Sequence, residues 1–113
     1  MERFDFSYDQ ENDDLFVYLK GKKSKGGIEL GSFILDFDEK GDLVAMQILN
    51  ASEVLAKILS KMIQMNKIEE IRVNLMNFRN MEGIKFEIRT DKERENANIL
   101  IPNIKEKSPV LRY

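Results

Sequence analysis

The residues of this chain that could carry chemistry are mostly carboxylates. Asp9, Glu11, Asp13 and Asp14 crowd one short stretch; Asp36, Asp38, Glu39 and Asp42 crowd another. Carboxylates two residues apart are what a hard cation such as calcium takes from a loop. Asp9, Glu11 and Asp13, with Asp36, Asp38 and Asp42, are therefore the candidate metal ligands. The spacing does not complete an EF-hand. Counted from Asp9, the sixth position holds Asp14 where the loop needs glycine, and the twelfth holds Lys20 where it needs glutamate. The plainer reading is two polar turns with solvated carboxylates. Whether the two turns share one end of a sheet decides whether they could act together.

Other chemistry is thin. The 113 residues include neither cysteine nor histidine. A disulfide framework, a thiol nucleophile, an imidazole base and the commonest transition-metal ligands are all excluded. Ser24, Ser32, Ser52, Ser60 and Ser108 have no histidine partner. An enzyme would have to run on paired carboxylates. No residue is assigned as catalytic, and no cofactor is implied. The loop Gly21–Gly27 carries three lysines among its glycines, but it lacks the Gly-Lys-Ser/Thr ending of a phosphate-binding loop. A net charge of -2 argues against a dedicated nucleic-acid binder.

These groups must be held by elements that the hydrophobic pattern outlines. Phe4, Phe6 and Tyr8 alternate with polar residues and predict a first strand over Arg3–Asp9. Leu15, Val17 and Leu19 predict a second, Ile28 to Phe37 a third, and Leu43 to Leu49 a fourth. Asp38–Asp42 reads as a hairpin loop turned by Gly41. Asn50 followed by Glu53 resembles a capping box. Val54, Leu55, Ile58, Leu59, Met62 and Ile63 then recur at helical spacing, which predicts one amphipathic helix over residues 51–65. Strands are expected at about residues 71–78, 84–88 and 98–101, separated by loops at 79–83 and 91–96.

The expected fold class is α+β: an antiparallel meander of about four strands, one helix packed on one face of the sheet, and about three further strands. A single domain covers 1–113, divided into the meander (1–50), helix (51–65), later strands (67–102) and tail (103–113). In the tail, Ser108-Pro109 could open one helical turn, and Val110–Tyr113 is apolar enough to dock on the sheet. Met1–Asp5 has no apolar core of a signal peptide, and no apolar run is long enough to span a bilayer. The expectation is a cytoplasmic protein with no membrane partner.

One helix covers only part of one face of such a sheet. Phe16, Tyr18, Ile34, Val44, Met46 and Ile48 then need other cover. Either the sheet curls into a partial barrel or a second copy supplies the cover; the surplus predicts a homodimer, with an unidentified protein partner as a further possibility.

The ordered run Tyr8-Asp9-x-Glu11-x-Asp13-x-Leu15-Phe16-Val17, then Asp36-x-Asp38-x-x-Gly41-x-Leu43-Val44, then Ile48-Leu49-Asn50-Ala51-Ser52 resembles a prokaryotic family of unknown function. The resemblance spans about residues 8–55. Phe16 stands where that family usually has tyrosine, Gln47 where it has glutamate and Asn50 where it has aspartate. Those departures weaken any catalytic or metal role at 47 and 50. The resemblance implies a compact stand-alone domain and supplies no mechanism.

Overall fold

The computed structural model describes residues 2–78, 81–91 and 93–102. Among the described residues there are eight strands, β1 (Glu2–Asp9), β2 (Asp14–Tyr18), β3 (Gly26–Leu30), β4 (Phe33–Phe37), β5 (Leu43–Ile48), β6 (Ile68–Phe78), β7 (Met81–Thr90) and β8 (Arg94–Pro102), and one helix, α1 (Ala51–Leu59). A single 3-10 turn, Met65–Lys67, leads from α1 to β6. All the strand pairs are antiparallel, in the order β3-β4-β5-β2-β1-β6-β7-β8. The expected α+β class is therefore corrected: the protein is mainly β, a curled sheet with one short helix.

Three local features account for the difference. Gly31 and Ser32 cut the expected third strand into the hairpin β3–β4, with Gly31 at φ +58°. Ser60 takes the left-handed conformation and ends α1, where Lys61 N–H bonds back to the Ala56 carbonyl. The helical stripe thus stops six residues early. Met62 points into solvent at 84% exposure, and Ile63 reaches the core from the returning chain. Finally, the expected loop at 91–96 already contains the start of β8.

Strand β1 joins the two halves of the sheet. Its first residues, Glu2–Phe4, pair with β6; the rest, Asp5–Asp9, pair with β2. One continuous core lies on the concave side. Leu15, Val17, Leu35, Met46 and Ile48 come from the N-terminal half, and Ile71, Val73, Ile84, Phe86 and Ile88 from the C-terminal half. Leu55 and Ala51 of α1 are buried against it. Two register shifts keep the pattern in phase. Glu69 is the extra residue where β6 pairs with β7, so Ile68 and Ile71 are both buried. Val44 is the extra residue where β5 pairs with β4, and Leu43 then faces Phe37.

Met46 and Ile48, expected to need outside cover, belong to this core, and Val44 is buried as well. The surplus shrinks to Phe16, Tyr18 and Ile34. The expected tail features at 103–113 lie outside the described residues.

Candidate functional site

The first acidic turn is built into the frame of the fold. Asp9 is an Asx-type turn residue: its Oδ1 accepts from the N–H groups of Glu11 and Asn12, and its Oδ2 from the Asn12 side chain at 2.7 Å. Asn12 holds the Asp9 carboxyl below the usual carboxylate range, first through its side chain and then through its backbone N–H. Glu11 is exposed.

Asp13 does something the sequence did not announce. It sits at φ +55°, a conformation aspartate tolerates better than most residues. Its Oδ1 accepts from the Tyr8 hydroxyl at 2.5 Å, and its Oδ2 from the Ser52 hydroxyl at 2.7 Å. The Ser52 N–H donates to the same carboxylate, and the Ala51 N–H donates to the Asp13 backbone carbonyl. The first N–H groups of a helix lack intrahelical partners. A residue nearly forty positions upstream supplies them here. Asn50 itself is left-handed and makes no side-chain cap, so the expected Asn50–Glu53 box does not form.

The electrostatics agree with this geometry. The Asp13 hydrogen bond, together with burial and nearby carboxylate charge, pushes the Tyr8 phenol up to about 12. For Asp13, burial pushes the carboxyl up. The bonds from Tyr8 and Ser52 outweigh it and leave the group below its ordinary value.

The second acidic turn is also self-contained. Asp38 Oδ1 accepts from the Lys40 and Asp42 N–H groups, both at 2.9 Å, and Gly41 at φ +86° closes the hairpin. Register places the two turns at opposite ends of the sheet. Leu15 pairs with Ile48 and Tyr18 with Ala45, so residues 9–13 lie by the end of β5 and residues 38–42 by its start. Among the described residues, no three carboxylates gather in a way that could hold a metal ion. Asp36 lies against Gly27 on the convex side of the sheet, apart from both turns.

That convex side differs between the halves. On the C-terminal half it carries ion pairs: Arg72 with Glu70 at 2.5 Å, Arg89 with Glu69 at 2.6 Å, and Arg94 with Glu87 at 2.9 Å. The N-terminal half shows two cross-strand rows instead. One runs Glu29, Ile34, Gln47, Phe16 and Ser7; the other runs Gly27, Asp36, Ala45, Tyr18 and Asp5. Phe16 is 42% exposed and stacks on Tyr18, with ring centres 5.0 Å apart. A cavity of about 380 Å³ opens beside them, lined also by Lys20, Lys22, Asp36 and Ala45. Two of the family departures noted above, Phe16 and Gln47, are direct partners in this face. Period-2 alternation alone marks Phe16 and Tyr18 as outward, which made the face legible. The Asp13–Ser52 tie is not legible that way, because it joins distant residues.

Among the described residues, no helix is long and apolar enough to cross a membrane. Residues 5–52 match the model of a family described as "Protein of unknown function (DUF2283)". An uncharacterized protein of Methanocaldococcus jannaschii is 53% identical over 47 residues, which are 42% of this chain and 40% of that protein. A Methanosarcina mazei protein, provisionally named a hypoxanthine phosphoribosyltransferase, is 43% identical over 47 residues, 42% of this chain and 38% of that protein. The chain thus spans about two-fifths of the length of the curated relatives it matches. No solved structure matches it. The matched segment begins where β1 turns from β6 to β2 and ends on Ser52, the residue Asp13 holds. From Asp5 to Ser52, then, the chain matches this family of unknown function.

Proposed function

We propose that the chain is a non-enzymatic, cytoplasmic interaction domain that works as a homodimer. The observation that supports this reading is the contrast between the two convex faces. An antiparallel sheet normally finishes its solvent side with polar residues. The C-terminal half does so with paired charges; the N-terminal half shows the exposed Phe16, with half-buried Tyr18 and Ile34 beside it. Exposed apolar surface of this kind marks a contact site.

The carboxylates give a rival reading little support. Asp9, Asp13 and Asp38 already accept from turn and helix N–H groups, and their two turns sit at opposite ends of the sheet. Sedimentation equilibrium over a wide dilution series tests the proposal. A dimer that dissociates on dilution is expected; a monomer at every concentration would sink it.

A further inference from the structure

A line of residues along β2 and its extension shares one side of the sheet. Leu15 and Val17 are buried in the core, so Asp14, Phe16 and Tyr18 face the convex side. Lys20 lies two residues past β2. The Leu19 N–H donates to the Val44 carbonyl at 2.9 Å, which carries the pairing of β2 with β5 one residue beyond the strand. Lys20 then lines the same hollow as Phe16 and Tyr18, which sets it on the convex side with them. Along the chain, the convex line runs acid, ring, ring, base.

That order is its own complement when reversed. A twofold axis across the strands, at the level of Val17, sets Phe16 of each copy over Tyr18 of the partner subunit. The same axis sets Asp14 of each copy over Lys20 of the partner subunit. Within one chain Asp14 and Lys20 are six residues apart along an extended strand, about 20 Å, and cannot meet. Among the described residues neither of them makes an ion pair, and Asp36, across the hollow, pairs with neither Lys20 nor Lys22. An axis along the strands would set like charge over like charge at both ends, which repel.

Building on the self-association proposed above, we infer that two copies of this chain pack convex face to convex face, with β2 antiparallel to β2 of the partner subunit. The aromatic pairs form the centre of the contact. The Asp14–Lys20 pairs close its two ends and fix its direction. Stacked sheets lie about 10 Å apart with their side chains interdigitating. The hollow of about 380 Å³ beside Tyr18 and the small Ala45 receives Phe16 of the partner subunit. Strands β1–β5 offer a face of roughly 24 by 17 Å, or about 400 Å². That is half of the ~800 Å² each partner gives to a standard interface, so the dimer dissociates on dilution.

The full chain has no cysteine of its own, so single introduced thiols report the arrangement. Asp14→Cys and Lys20→Cys are each treated with a short bis-maleimide, alone and then mixed, with sedimentation equilibrium alongside. A linked dimer is expected from the mixture and from neither variant alone. Phe16→Ser is expected to halve the mass to that of a monomer, with far-ultraviolet circular dichroism confirming its fold. If Phe16→Ser fails to fold, the cross-linking decides alone. Links in either variant alone, at the level of the mixture, overturn the antiparallel arrangement. A mixture that gives no link overturns it too, as does a folded Phe16→Ser that stays dimeric. In each of those cases a dimeric wild type leaves the self-association standing. A wild-type monomer at every concentration overturns both.

Discussion

On β7, the outward positions are Lys85, Glu87 and Arg89; on β2 they are Phe16 and Tyr18. Both strands send alternate residues into the same core, Phe86 and Ile88 from one and Leu15 and Val17 from the other. The halves therefore do not differ in how they fold. They differ in what they do with the residues that folding leaves over. The C-terminal half has long strands with ion-paired outer faces. Short strands and an aromatic pair with Phe16 exposed distinguish the N-terminal half, and each half ends the sheet in one edge strand, β3 or β8. The family match covers the N-terminal half together with the Asp13–Ser52 tie that holds α1 to it. What the matched segment contains is the N-terminal scaffold, its outer face and the Tyr8–Asp13–Ser52 cluster.

The comparison can be broken first at the shared core. Phe86 is 1% exposed, and Phe86→Ala should cost about 3–5 kcal/mol. Because the core is continuous, both halves should unfold in one transition in urea, at a lower midpoint. Two separate transitions would show that the halves are independent.

The next effect belongs to the tie. Asp13→Ala strands the Tyr8 hydroxyl, the Ser52 hydroxyl and the Ser52 N–H, and it puts alanine at a left-handed position. A loss of about 2 kcal/mol is expected, measured by the same denaturation. Ser52→Ala should cost about half of that, roughly 1 kcal/mol.

Tyr8→Phe should also cost about 1 kcal/mol, and it carries a pH signature. The folded phenol sits at about 12, above the ordinary value of about 10 for free tyrosine. Its contribution is complete below pH ~10 and is lost as pH rises towards 12. Asp13 has the opposite sign. Its carboxyl lies below the ordinary value, so its contribution is present above pH ~4 and is lost as acid protonates it. Thermal melts of wild type against Tyr8→Phe should converge at the alkaline end. Equal spacing at every pH would contradict the bond.

The smallest effect should be at Phe16. Replacing a half-exposed side chain outside the core, Phe16→Ser should change monomer stability by no more than about 0.5 kcal/mol. A larger loss would mean the convex face is packed, and the contrast between the halves would blur.

Much of this was open to reading in the chain itself. Alternation in Phe4–Tyr8, Leu15–Leu19 and Ile84–Ile88 placed three strands and their buried faces, and Asp38–Gly41–Asp42 marked its hairpin correctly. The errors arose where a local signal was outvoted. Gly31-Ser32 is a valid two-residue hairpin turn, yet the apolar run on either side hid it. Met62 and Ile63 continue the helical stripe, yet Ser60 turns left-handed and ends the helix before them. The register shifts at Val44 and Glu69 change phase without changing composition. At the candidate site, the acidic residues were visible as a cluster but their partners were not. Asp13 reaches Ser52 through the fold alone, and the sequence places the two thirty-nine residues apart.

The central claim is that contact belongs to the N-terminal half. Amide spectra of the full chain across a dilution series test it most directly. Dilution should shift the amides around Phe16, Tyr18 and Ile34 on β2 and β4 and leave those of β7 in place. Shifts centred on β6–β8, or spectra unchanged at every concentration, would contradict it.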